Sequence, residues 1–150
     1  MKLKTNTWMA KSLLLAGALV LTVVVGGYQR RTGPSWPVPV DVSLDGAEVR
    51  GELPRSHPGE GGAVVSLAAP ADVIGEIEWR RYPTQEAWTH LVMAYRDGKL
   101  TAELPHQPPA AKLEYSVRLR RGDREATFPA GEAAVIRYRG AVPAAVLVPH

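Results

Sequence analysis

The chain contains no cysteine. That removes disulfide bridges, thiolate metal sites, a cysteine nucleophile and the lipid-bearing cysteine of a lipoprotein. Its one asparagine, Asn6, is followed by Thr7 and Trp8, so no N-glycosylation acceptor exists. There is no HExxH or GxSxG stretch, and His57, His90, His106 and His150 never form a close pair. The zinc-protease and serine-hydrolase signatures are therefore missing. The G-E-G-G run at 59–62 lacks the Lys-Ser/Thr that a phosphate loop needs. No internal repeat stands out, and no cofactor is expected.

A basic stripe is missing too. The formal charge is +3, but from Tyr28 onward fifteen Lys and Arg balance fifteen Asp and Glu, and the excess sits on Lys2, Lys4 and Lys11. A neutral body excludes the electrostatic footprint of a nucleic-acid binder. With 150 residues, 45% of them hydrophobic, the chain supports one folded domain.

What is present begins with a membrane signal. Residues 1–11 are basic, and residues 12–27 carry no charge, with Trp8 and Tyr28 bracketing the run. Twenty helical steps between those aromatics span roughly 30 Å, the hydrocarbon thickness of a bilayer. Residues 12–28 are expected to form a transmembrane helix or signal anchor that contacts the lipid bilayer, with residues 1–11 in the cytoplasm. A cleaved secretory signal ending near Gly26-Gly27 is the rival, and the anchor is the favoured reading. Both send the rest across a membrane, to the periplasm or beyond. Residues 29–37 (Q-R-R-T-G-P-S-W-P) read as a stiff linker, with Trp36 expected to pack on the domain.

From Val38 to Gly140 short alternating runs follow one another with turn signals between them. The most coherent is 112–128. Leu113, Tyr115, Val117 and Leu119 occupy one face, and Glu114, Ser116, Arg118 and Arg120 the other. A two-residue Gly122-Asp123 turn would place Arg120 opposite Glu125 and Leu119 opposite Ala126. Asp45-Gly46 would place Val42 opposite Val49 and Asp41 opposite Arg50. Asp97-Gly98 would place Tyr95 opposite Leu100, Met93 opposite Ala102 and Leu91 opposite Leu104, all inward. Residues 54–62 read as a flexible loop, 63–69 as a strand with Val65 and Leu67 inward, 105–111 as a Pro-rich crossover and 133–139 as a last strand. Trp79, Met93, Tyr115, Val117 and Leu119 are the expected structural core.

The succession Ile77-x-Trp79, then D-G-K-L-T-A-E-L-P at 97–105, then Q-P-P-A-A-K-L-E-Y-S-V at 107–117 resembles the second half of bacterial immunoglobulin-like or fibronectin type III-like domains. The resemblance implies an all-β, antiparallel β-sandwich of about seven strands over residues 38–140, preceded by one transmembrane helix. It also implies that Tyr115 is a tyrosine corner, its hydroxyl bonded to backbone a few residues upstream. Residues 135–149 resemble the exit from such a domain into further membrane helices. The apolar tail, 141–150, is too short to span, so the chain reads as a truncated member of a multi-pass family or as having a tail that packs on a surface.

The resemblance fixes fold better than function. A bacterial envelope protein, single-pass in the cell membrane and acting as a non-catalytic interaction or assembly module for another envelope protein, is the expectation. Trp88, Arg118, Arg120, Arg137 and Arg139 are the candidate partner-binding residues. A carbohydrate-binding module is the alternative and would need Trp88, Tyr82 and Tyr138 on one exposed face. A metal held by His90 and His106 would lack nearby carboxylates. Arg121-Gly122-Asp123 spells an integrin-type tripeptide, but Gly-Asp is also ordinary turn chemistry.

Overall fold

A computed structural model describes residues 7–140, in two compact units. The expected apolar tail at 141–150 lies outside the described residues, as do residues 1–6 of the basic N-terminus.

The first unit is the helix α1, Thr7–Thr32. Its 26 residues span about 39 Å, and Trp8–Thr32 is long and apolar enough to cross a membrane, with a mean hydropathy of 2.0 and none of it buried. Leu14, Leu15 and Leu19 are exposed. The hydroxyls of Ser12, Thr22 and Thr32 donate to the carbonyls of Trp8, Ala18 and Tyr28, so each finds its partner on the helix itself. The helix extends past both ends of the expected 12–28. Nothing in Gln29-Arg30-Arg31 opposes helix, and two arginines in the last turn suit the negative end of the helix dipole. Gly33-Pro34 ends it, which shortens the linker to residues 33–37. Trp36, the last residue of this unit, is 45% exposed.

The second unit begins at Pro37 and is built from strands in two sheets. In chain order these are β1 Val38–Leu44, β2 Ala47–Leu53, β3 Ser56–Pro58, β4 Ala63–Ala68, β5 Ile74–Arg81, β6 Thr89–Val92, β7 Ala94–Arg96, β8 Lys99–Leu104, β9 Lys112–Arg121, β10 Arg124–Phe128 and β11 Ala134–Gly140. One sheet runs β1-β2-β4-β8-β7. The other runs β3-β11-β9-β5-β6, with β10 also on β9. The hairpin registers read from the turns are the ones observed: Val42 faces Val49, Asp41 faces Arg50, Arg120 faces Glu125 and Leu119 faces Ala126. Asp45 and Asp97 hold positive φ at the first turn position, as a two-residue hairpin demands.

Three expectations about the strands fail. Residues 54–62 are not simply a loop, because β3 inserts there and pairs in parallel with β11. Residues 88–95 do not form one strand against 99–104. The chain leaves β6 on one sheet and enters β7 on the other, turning at Met93, so only Tyr95 keeps its expected partner, Leu100. Tyr95, on the edge strand of its sheet, is 41% exposed all the same. Met93 anchors the crossing. Its N–H donates to the Gly75 carbonyl at 2.9 Å, and its sulfur lies where a side chain at Gly75 would stand, 2.7 Å from an ideal Cβ. Finally, β10 and β11 lie one after the other along the same edge of β9, β10 against Val117–Arg121 and β11 against residues 112–115. More strands than seven result.

One core joins the two sheets. Tyr115, Val117 and Leu119 are fully buried and Met93 nearly so, as expected. Trp79 is a correction: it is only partly buried, packed against the core. It stands near the end of β5, between Tyr115 and Thr89, where the edge strand β6 is just beginning and covers little. Tyr115 is no tyrosine corner either. Its hydroxyl crosses to the Pro54 carbonyl at 2.7 Å, and that of Tyr138 reaches Pro105 at 3.0 Å. Both phenols are raised above their ordinary pKa, chiefly by burial, so both stay protonated donors.

Candidate functional site

The outer face of the second sheet is built by alternation alone. In β9 the residues between buried Leu113, Tyr115, Val117 and Leu119 point outward. Register then sets Arg118 beside Glu76, Arg120 beside Ile74 and Ser116 beside Glu78. On the far side of β5, the edge strand sets His90 opposite Glu78 and Val92 opposite Glu76. On the other flank, β10 brings Glu125 opposite Arg120.

These groups interlock. The Arg118 guanidinium donates to Glu78 at 2.7 Å and lies 3.2 Å from Glu125, so one side chain ties β5, β9 and β10 together. The His90 ring nitrogen Nδ1 is 2.5 Å from Glu76 and 3.7 Å from Glu78. An open depression of about 140 Å³ lies among Ile74, Glu76, Arg118, Arg120 and Glu125. It offers donors and acceptors side by side over one aliphatic floor residue, and Arg120 has no carboxylate partner among the described residues. Donors and acceptors arranged in this way are chemically suited to a polar group that presents both signs. Because these pairs are half exposed, each contributes at most about 1 kcal/mol to folding.

The structure gathers Arg118 and Arg120 here and leaves the other candidates elsewhere. Trp88 is half-buried in the β5–β6 loop, under the Arg80 guanidinium, whose carbon lies 4.4 Å from the ring centroid. Arg80 is held in turn by Glu114 at 2.5 Å. Arg137 and Arg139 lie at the opposite end of the sheet, on β11, where Arg137 faces Lys112. Tyr138 is buried, so Trp88, Tyr82 and Tyr138 do not share an exposed face. His106 contacts the Gly61 carbonyl at 2.9 Å, and among the described residues no group of three or more His, Asp or Glu is placed to hold a metal.

The Arg-Gly-Asp turn does not present its arginine freely. Arg121 ion-pairs with Asp72 at 2.6 Å and donates to the carbonyls of Leu44, at 3.1 Å, and Asp45. It staples the first hairpin turn to β9.

Glu125 is placed beside Arg120 by the hairpin register alone, but sequence reasoning did not bring Glu78 and His90 into the site. The carboxylate spacing Glu76-x-Glu78 was visible, but His90 joins it only because β6 pairs with β5. Reading 88–95 as a partner of 99–104 hid that hairpin.

No protein-family model matches the chain, and a comparison with curated proteins finds no significant match.

Proposed function

We propose that this protein is a membrane-anchored, non-catalytic interaction or assembly module of the bacterial envelope. In this reading the helix Thr7–Thr32 lies in the bilayer and an immunoglobulin-like domain stands outside the cytoplasm. The observation that carries it is the pairing, in one chain, of a fully exposed apolar helix with a closed two-sheet domain whose β5-β9-β10 face holds a rigid array of charged groups. Rigid strands fix those groups before any partner arrives, which lowers the entropy lost on binding. The strand order supports the immunoglobulin-like assignment: a short strand running parallel to the last one at a sheet edge, and a central chain that passes from one sheet to the other at Met93. The partner would be another envelope protein with complementary polar groups.

The test is site-specific photo-crosslinking from position 120 in intact cells, followed by detergent solubilisation. A discrete crosslinked protein, absent with the probe at Ala71 and lost in Arg118→Ala, supports the reading. Recovery of the chain in the soluble periplasmic fraction, lacking residues before Tyr28, would remove the anchor. Identical crosslinks from positions 120 and 71 would remove the interaction face.

A further inference from the structure

The domain's cations are unevenly neutralised. Arg50, Arg80, Arg81, Arg118, Arg121 and Arg124 each lie against a carboxylate. Among the described residues the domain's seven other cations have no such partner. Register groups three of them, Lys112, Arg137 and Arg139. Arg137 of β11 stands opposite Lys112, the first residue of β9, and Arg139 follows on the same outward face. All three are exposed. On the other side of β11 the residue opposite Arg137 is Ser56, which is neutral. The Lys112 ammonium lies 5.7 Å from the ring centroid of Tyr82, itself 41% exposed. Of the carboxylates at this end, Glu86 and Glu114 are occupied by Arg81 and Arg80, Glu103 accepts from the Gly62 N–H, and exposed Glu52 and Glu60 have no cationic partner among the described residues.

The place of this cluster in the fold is informative. Val38, where the chain enters the domain, pairs with Leu53, and the adjoining Pro54 carbonyl receives the Tyr115 hydroxyl. The entry point therefore shares an end of the domain with the start of β9 and the end of β11. Only residues 33–37 separate Thr32 from Val38, a tether that reaches about 17 Å when fully extended. Arg30 and Arg31 close the helix on one side of that tether, and exposed Trp36 stands within it.

We infer that Lys112, Arg137 and Arg139, with Tyr82 beside them, form a docking surface for the anionic phospholipid headgroups of the membrane that holds the helix. The guanidinium fork matches a phosphate diester, and an exposed tyrosine suits the interfacial zone. An acidic soluble protein would meet the same charges, but the tether's short reach favours lipid, since it keeps this end of the domain near the surface. The inference rests on the membrane-anchor reading.

The absence of cysteine allows a clean test in the full-length chain. A fluorophore on Gln85→Cys, in the exposed loop after Tyr82, reports on this end, and one on Ala71→Cys reports on the other. The protein is reconstituted in vesicles carrying a nitroxide-headgroup lipid. Quenching at position 85 is expected to be about twofold stronger with about 30% phosphatidylglycerol than with phosphatidylcholine alone. That excess should vanish in Arg137→Gln/Arg139→Gln, diminish in Lys112→Gln, and disappear in about 0.5 M salt. Quenching at position 71 should not depend on lipid charge. Equal quenching at position 85 in both lipids, an unaffected double variant, or reversal by about 5 mM inorganic phosphate would overturn the docking surface. Flotation of the vesicles separates the two readings. Protein that fails to float sinks anchor and docking together, whereas protein that floats without charge-dependent quenching sinks the docking alone.

Discussion

Tyr115 and Pro54 are joined across the interior, the buried phenol of β9 donating at 2.7 Å to the carbonyl just beyond the end of β2. They are 61 positions apart in the chain, and Pro54 lies in the link that carries the chain from β2 in one sheet to β3 in the other. The bond therefore ties that link to β9. Tyr115→Phe keeps the ring but leaves the Pro54 carbonyl without that donor, and should lower unfolding stability by about 1–2 kcal/mol in a urea titration. Unchanged stability would mean that water replaces the hydroxyl.

The same group gives a pH dependence with a defined sign. Burial, the largest cause, raises the phenol's pKa in the folded state. Unfolded tyrosine ionises near pH 10. The stabilisation is then fully present below about pH 10 and is lost as pH climbs above it, by up to about 1.4 kcal/mol per pH unit for each such tyrosine. Tyr138 shifts in the same direction. Thermal melts between about pH 9 and 11 should steepen in their decline above 10, and Tyr115→Phe should flatten that decline. A slope identical in the two proteins would contradict the assignment.

The sheet crossing at Met93 depends on Gly75 having no side chain. Gly75→Ala should destabilise by about 1–3 kcal/mol through overpacking, and Met93→Ala by about 2–5 kcal/mol through the cavity it leaves. Since the new methyl occupies part of the space the sulfur vacates, the double variant should be less destabilised than the sum of the singles. Strict additivity in denaturant titrations would show that the two positions do not compete for space.

Arg121 and Asp123 occupy the same turn with unequal roles. Arg121→Ala severs the staple to Leu44, Asp45 and Asp72 and should lower stability by about 1–2 kcal/mol. Asp123→Ala, at the exposed tip, should leave the melting temperature where it was. Equal effects of the two would favour the turn tip as the structural element.

The charged face is expected to be nearly silent in folding. Arg118→Ala should change stability by less than about 1 kcal/mol, because both of its carboxylate pairs are partly solvated. A calorimetric loss well beyond that would make Arg118 a structural residue and disqualify it as a probe of binding.

Legibility in the sequence followed the range of the interaction. The turns at Asp45-Gly46, Asp97-Gly98 and Gly122-Asp123 are local, and a two-residue turn leaves one register between strands of period two. Facing pairs such as Leu119 with Ala126 and Val42 with Val49 were readable for that reason. The short strand β3 was hidden because its three residues carry no alternation of their own and exist as strand only through parallel pairing with β11, some eighty residues later. The His90–Glu76 contact was hidden because it depends on which neighbour β6 chooses.

The sequence by itself determined an apolar helix, the alternating faces and the hairpins, since each is set by side chains within a few positions of one another. Tertiary structure alone decided that the chain changes sheets at Met93, that Tyr115 reaches Pro54 and that Arg118 and Arg120 share a depression while Arg137 joins Lys112 elsewhere. The reason is physical: strand pairing order is chosen by how two whole sheets bury a common core, and no local pattern encodes the partner beyond the nearest turn.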